Sequence, residues 1–314
     1  MASSTLPDDI LAHLHRTPRE LPSRYLYDDL GSALFDAICE LPWYPITRAE
    51  QSLLRTHGSA IAAAAGGATT WIELGPGNGS KLDTLVEQAP QPPRSLHLVD
   101  LSSAALGVAR ERLARRPGVS ITLHHADYLA GLAVAISGSS SDGARMVLFL
   151  GSNIGNFDAL DAAALLAAIR SKLQPGDSLL LGADLVKSVP EMLLAYDDPL
   201  GVTAAFNRNI LVRLNHDFAT GFDLTHYQHE ARWNAAESQI EMWLVSRVAQ
   251  RVRIPGLKKE LQLTEGEAIR TERSRKYQPE EIAALLQTAG FTVVQQWMTD
   301  GFSETMARVD GPAH

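Results

Sequence analysis

The sequence predicts an α/β protein built on a mostly parallel sheet, and three observations carry that prediction. Short apolar runs alternate with helical patterns through the middle of the chain, a glycine-rich stretch follows the first apolar run directly, and an acidic residue closes the second. Such alternation marks strand–helix–strand units, whose crossover helices oblige the strands to run parallel.

TTWIEL at 69–74 reads as the first strand, SLHLVDL at 95–101 as the second and SITLHHAD at 120–127 as the third. MVLFLGS at 146–152 and SLLLGAD at 178–184 read as the fourth and fifth. Between them KLDTLVEQ, SAALGVARERLARR and ALDAAALLAAIRSKL carry apolar residues at three-and-four spacing, and QPGD stops the last of these before the next strand. Residues 1–65 read as helices, ending in AIAAAAGGA as a helix end and linker. After the fifth strand the rhythm breaks. Residues 185–276 hold helical stretches around VPEMLLAY and GVTAAFNRNILVRLNHDF, then SQIEMWLVSRVAQRVRI, whose β-branched content predicts one long antiparallel strand. The rhythm resumes in 277–314, with QPEEIAALLQTAGF as a helix and TVVQQWMTD and SETMARV as strands. The expected organisation is a core at 66–184 completed by 277–314, with a second lobe formed by 1–65 and the insertion 185–276. GSSSDGA at 138–144 reads as a polar loop.

At 314 residues, 45% hydrophobic and 20% charged, the composition excludes disordered and collagen-like classes and suits one large α/β domain or one domain plus an excursion of comparable size. A net charge of -8 provides no basic footprint for nucleic acid or anionic lipid, so a small-molecule substrate is expected. The opening MASSTLPDDILAHLHRTPRE has acids and no apolar signal core, and no run approaches the roughly 18 apolar residues of a membrane span. The expectation is a cytoplasmic monomer with no nucleic-acid or membrane partner. Cys39, the one cysteine, lies in the helical run SALFDAICEL as a small apolar residue, without a basic neighbour to activate a thiol.

WIELGPGNGS puts Gly75, Gly77 and Gly79 between the first strand and a helix, where glycines permit tight turning and close approach of a ligand to backbone N–H groups. Asp100 closes the second strand, where ribose hydroxyls would lie. The dinucleotide fingerprint would need glycine at Ser80, so pyrophosphate binding is disfavoured. The pattern E-L-G-x-G-x-G with that acid resembles the first motif of class I methyltransferases. The resemblance implies a Rossmann-like sheet and S-adenosylmethionine as methyl donor, with the glycine loop at its methionine part and Asp100 at its ribose. It also implies that Asp127 hydrogen-bonds adenine and that Tyr128 covers it, with Lys81 as a further candidate contact.

Longer stretches extend the resemblance over nearly the whole chain: YLYDDLGSALFDAICELP with TRAE, FLGSNIGNF, LLGADLVK, AYDDPLGVTAAFN, IEMWLVSR and IRTERSRKY. They are similar to the ergothioneine-pathway L-histidine Nα-methyltransferase family. That likeness implies that Asn156 orients the substrate amine and that Tyr27, Tyr44 and Tyr196 line the amino-acid site. It further implies that Glu272 and Ser274 hold the imidazole ring, opposite Met242, and that the product is the trimethylated betaine. The i, i+2 spacing of Glu272 and Ser274 on an extended segment puts them on one face, and an acceptor with a hydroxyl can satisfy both ring nitrogens of neutral imidazole. WYPITR departs from the family's more usual pair of tyrosines before proline. Rival readings are an Nα-methyltransferase for another amino acid such as tryptophan, and a non-catalytic S-adenosylmethionine sensor. A third is a metal hydrolase built on His226, His229 and Glu230, against which THYQHE matches no metalloprotease spacing and reads as exposed histidines; no metal is expected.

Overall fold

The computed structural model describes residues 8–139, 143–255, 260–299 and 301–310; positions 140–142 of the expected polar loop lie outside the described residues. The chain divides into two compact units, one formed by 46–186 with 275–314 and the other by 1–45 with 187–274.

The first, the sheet unit, contains β1 (Thr70–Leu74), β2 (Ser95–Asp100), β3 (Ser120–His125), β4 (Arg145–Phe149), β5 (Ser178–Asp184), β6 (Thr292–Thr299) and β7 (Phe302–Arg308). Their order is β6-β7-β5-β4-β1-β2-β3, with β7 antiparallel to both neighbours and the other pairings parallel. Every residue of β1, β4 and β5 is buried, which is why these strands read as unbroken apolar runs. Successive residues serve opposite faces: Trp71, Leu148 and Leu180 join one core, and Ile72, Phe149 and Leu181 join the other.

Helices Ser80–Gln88 and Ser103–Leu113 cover the first face. A third helix, Pro45–Ala64, joins them by burying Leu53, Leu54 and Ile61 against Trp71, Leu82 and Leu96. The sequence reading had grouped this helix with the N-terminal lobe; its apolar stripe instead matches the sheet. The other face carries Ala159–Lys172, Pro279–Thr288 and a helix that periodicity did not reveal, Tyr128–Gly138. YLAGLAVAISG is apolar almost all round, so no polar stripe marks it, and its start is fixed by Asp127, whose carboxylate accepts the Ala130 N–H at 2.9 Å.

The second unit has a four-stranded sheet, ordered Arg19–Glu20, Ala268–Arg275, Gln239–Ser246, Tyr227–Asn234, with the first pair parallel and the last antiparallel. The N-terminal part is therefore not wholly helical. SQIEMWLVSRVAQRVRI forms two strands, Gln239–Ser246 and Gln250–Val252, rather than one; at the break the Ser246 hydroxyl donates to the Val248 carbonyl at 2.8 Å. Helices Asp29–Glu40, Val189–Tyr196 and Val202–Phe218 belong to this unit. Among the described residues no helix is long and apolar enough to cross a membrane.

Candidate active site

Parallel strands deliver all their following loops to one edge of a sheet, and ligands favour the point where strand order reverses, here between β1 and β4. The β1 loop occupies that place. Gly75, Gly77 and Gly79 have φ of 77°, 54° and 75°, a region that L side chains avoid. A Cβ on Gly75 would lie 2.9 Å from Asn153 Nδ2 and 3.3 Å from the Tyr128 hydroxyl, so the loops after β1, β3 and β4 converge. Around Gly77 the same test meets nothing within 4 Å among the described residues, whereas at Gly79 it meets Ala109 at 3.0 Å; the middle glycine faces open space and the third lets two helices touch.

Asp100 accepts from the backbone N–H groups of Ser102, at 2.8 Å, and Gly77. Burial raises its pKa, while these amides oppose the rise. Asp127 is exposed and uses Oδ1 as the helix cap described above. Tyr128 packs edge-on against Phe149 with centroids 5.2 Å apart, and burial holds its phenol well above the usual tyrosine range. Lys81, on the first turn after the loop, pairs with Glu50 at 2.7 Å. Glu73, buried at the end of β1, is pushed up to about 8 by burial, with Lys81 opposing and the charges of Glu50 and Asp100 adding. All seven sequence-selected cofactor residues thus lie in the sheet unit.

Asn156 ends the short helical turn Asn153–Asn156 after β4, entered through Ser152 at φ 58°. Ser152 is held there by the Asp184 N–H, which donates to its Oγ at 2.9 Å. Asp184 in turn pairs with the fully buried Lys276 at 2.8 Å, and the Tyr277 hydroxyl donates to the Ile154 carbonyl at 3.4 Å. The loop bearing Asn156 is therefore braced on two sides.

The second unit gathers the other selected residues. Tyr27 donates its phenol to Glu272 Oε1 at 3.3 Å, and Tyr196 donates to Ser274 Oγ at 2.8 Å. The Tyr44 and Tyr196 rings meet edge-on with centroids 6.1 Å apart. Phe35 and Phe206, not selected from the sequence, complete the cluster by contacting Tyr27 at 5.7 and 5.4 Å. Two aspartates set the tyrosines' neighbourhoods. Asp28 caps the helix after Tyr27 by accepting from Gly31 N and from Asn209 Nδ2, both at 2.7 Å. Asp198, just past Tyr196, accepts the N–H groups of Leu200, Val202 and Thr203; burial pushes its pKa up but these bonds outweigh it and hold it low. Met242 is buried at 1% exposure, and its carbonyl accepts from the Thr271 hydroxyl at 3.1 Å, beside Glu272 in sequence.

Sequence reasoning missed a buried relay. His229 lies in a strand and is buried, not exposed as expected: its Nε2 donates to the Tyr196 carbonyl at 2.8 Å, and its Nδ1 accepts from Asn207 Nδ2 at 2.8 Å. Asn207 Oδ1 in turn accepts from Thr271. Burial lowers the His229 pKa, in keeping with the neutral ring this pattern needs. With both ring nitrogens engaged and Glu230 the next residue along a strand, the trio with His226 is not a chelating helix face.

Residues 6–308 match the family described as histidine-specific methyltransferase, SAM-dependent. The histidine N-alpha-methyltransferase of Mycolicibacterium smegmatis is 40% identical over 299 residues, spanning 94% of this chain and 92% of that protein. The Mycobacterium tuberculosis protein of the same name is 39% identical over 296 residues, spanning 92% and 89%. Ergothioneine biosynthesis protein 1 of Neurospora crassa is 28% identical over 301 residues, covering 89% of this chain and 32% of that longer protein. With the family pattern running through both units and relatives at 40% identity over almost their full length, the chain belongs to the histidine-specific, S-adenosylmethionine-dependent methyltransferases.

Proposed function

We propose that the protein transfers methyl groups from S-adenosylmethionine to the α-amino nitrogen of L-histidine, three times over, giving the betaine hercynine for ergothioneine synthesis. The observation that carries this reading is the strand Ala268–Arg275, where Glu272 and Ser274 are buried in line and each is held by a tyrosine hydroxyl. A carboxylate accepts from the imidazole N–H and a hydroxyl serves the second ring nitrogen; an indole has one ring nitrogen and can use only one of the two.

The residues of the sheet unit fit the donor. Gly77 faces open space for its methionine part, Asp100 presents a carboxylate fixed by the amides of Ser102, Gly77 and Leu101 to the ribose hydroxyls, and Asp127 caps its helix with one oxygen and offers the other to adenine. The bound donor supplies an electrophilic methyl on a sulfonium. The protein's part is positional: Asn156 orients the amine, in its neutral form, so that its lone pair lies in line with the methyl. Glu272 and Ser274 anchor the ring, and Tyr44 and Tyr196 border the amino-acid end. The same reading carries a cytoplasmic, monomeric enzyme with no nucleic-acid or membrane partner.

The test is a time course with histidine and excess S-adenosylmethionine followed by mass spectrometry. Successive mono-, di- and trimethylated species on the α-nitrogen are expected; arrest at the first or second methyl would remove the betaine from the proposal.

A further inference from the structure

Glu50 belongs to TRAE, one of the stretches that carried the family resemblance, yet nothing in the mechanism above uses it. It sits in helix Pro45–Ala64 with 0% exposure, where a carboxylate is heavily penalised unless paired. Its Oε1 accepts the Gly151 N–H at 2.6 Å, and its Oε2 stands 2.7 Å from Lys81 Nζ. Its third neighbour is Glu304 of β7, also fully buried; the Oε1 atoms of the two carboxyls each lie 3.0 Å from where a Cβ on Gly182 would stand. Burial, with the charge of Glu50 adding, raises the Glu304 pKa well above the usual carboxylate range. Among the described residues neither oxygen of Glu304 has a hydrogen-bond partner.

Gly182 makes room for this pair. It lies opposite Glu304 in the β5–β7 ladder, and a methyl there would stand 3.0 Å from Glu304 Oε1 and 3.0 Å from Glu50 Oε1. One carboxylate therefore joins helix Pro45–Ala64 to the helix after the glycine loop and to the loop after β4, with β5 and β7 shaped around it. Stability alone is a poor reason for such an arrangement, since apolar side chains of similar volume usually replace a buried ion pair without loss. Holding a cation in one place beside a charged ligand is a better one.

We propose that Glu50 is a positioning residue for the methyl donor: its two oxygens hold the Lys81 ammonium, which meets the donor's carboxylate, and the Gly151 amide, which starts the loop leading to Asn156. The proposal rests on the reading of Lys81 as a donor contact, and the experiment separates the two. S-adenosylmethionine is titrated calorimetrically into folded wild type, Lys81→Met, Glu50→Gln and the double variant. Lys81→Met should weaken binding about tenfold or more and Glu50→Gln about fivefold or more, as expected for lost charge-assisted contacts. The double variant should bind within about twofold of Lys81→Met alone, because a residue acting through Lys81 has nothing left to act on once Lys81 is gone. Losses that multiply in the double variant, or a Glu50→Gln affinity within about twofold of wild type, overturn the proposal. Wild-type affinity in Lys81→Met removes the Lys81 reading itself, and the proposal falls with it. Should Glu50→Gln not fold, Gly182→Ala displaces the carboxylate without touching the glycine loop. It should weaken donor binding severalfold in the wild-type background and not in Lys81→Met; an equal effect in both overturns the proposal.

Discussion

Tyr196 donates its phenol to Ser274 Oγ at 2.8 Å, with both side chains buried. The contact links the end of helix Val189–Tyr196 to the strand that carries Glu272, and the His229 bond to the Tyr196 carbonyl fixes its other side. Ser274 is therefore read together with Tyr196. Tyr196→Phe and Ser274→Ala should each raise the KM for histidine about three- to tenfold, as a neutral hydrogen bond of about 0.5–1.5 kcal/mol implies. Combined, they should cost little more than the larger single change, and steady-state kinetics on the three variants give the answer. Fully multiplicative losses would mean that the two hydroxyls act apart.

Removal of Glu272, the carboxylate proposed to accept the ring N–H, should change selectivity as well as rate. Glu272→Ala is expected to lower kcat/KM for histidine by roughly 10- to 150-fold, or about 1.5–3 kcal/mol, and to raise the relative rate on tryptophan. Shortening Met242, buried at 1% exposure, should extend the gain to larger rings. Competition between histidine and tryptophan measures both; an unchanged preference in Glu272→Ala would take ring recognition away from this strand.

Asp100 is held by the Gly77 and Ser102 amides at the end of β2, so its replacement leaves the fold's apolar contacts intact. Asp100→Ala should weaken S-adenosylmethionine by about 1.5–3 kcal/mol in a calorimetric titration. Wild-type affinity in a folded variant would contradict the ribose assignment.

Asn156 is assigned to the amine and not to the donor, which makes its loss selective. Asn156→Ala should reduce kcat at least about tenfold while leaving donor Kd within about twofold. Parallel loss in both, or loss in neither, would reduce Asn156 to a turn residue.

Much of the sheet unit was legible because its strands are buried on both faces and its crossover helices are amphipathic. The exceptions have physical causes. Tyr128–Gly138 lacks a polar stripe, and the apolar positions Leu53, Leu54 and Ile61 reveal a buried face without saying which unit it covers. In the candidate site, the i, i+2 pair Glu272 and Ser274 could be read from strand geometry, and their partners Tyr27 and Tyr196 from family stretches. Which tyrosine meets which polar group depends on pairings across 245 and 78 residues. Glu304 gave no signal and Glu50 only its place in the family stretch TRAE, since a carboxyl on a helix or strand reads locally as a solvated one. His229 misled for the same reason, its polar neighbours in THYQHE suggesting exposure.

Glu73 supplies a pH test of the buried acids. Its pKa rises from 4.5 to about 8 on folding, so between those values the unfolded chain has released a proton that the folded chain keeps. Stability then falls as pH rises through that window, and Glu304, raised by burial and Glu50, acts in the same direction. Glu73→Gln should melt progressively higher than wild type between about pH 5 and pH 8, with donor absent. Parallel melting curves across that range would contradict the protonated state.

The most direct measurement is incubation of the purified protein with S-adenosylmethionine and an equimolar mixture of all the standard amino acids, with every product resolved by mass and fragmented to locate the methyl group. The account predicts methylation of histidine at the α-nitrogen in strong preference to tryptophan, phenylalanine and leucine. Methyl transfer spread evenly over the aromatic amino acids, or placed on an imidazole nitrogen, would contradict it.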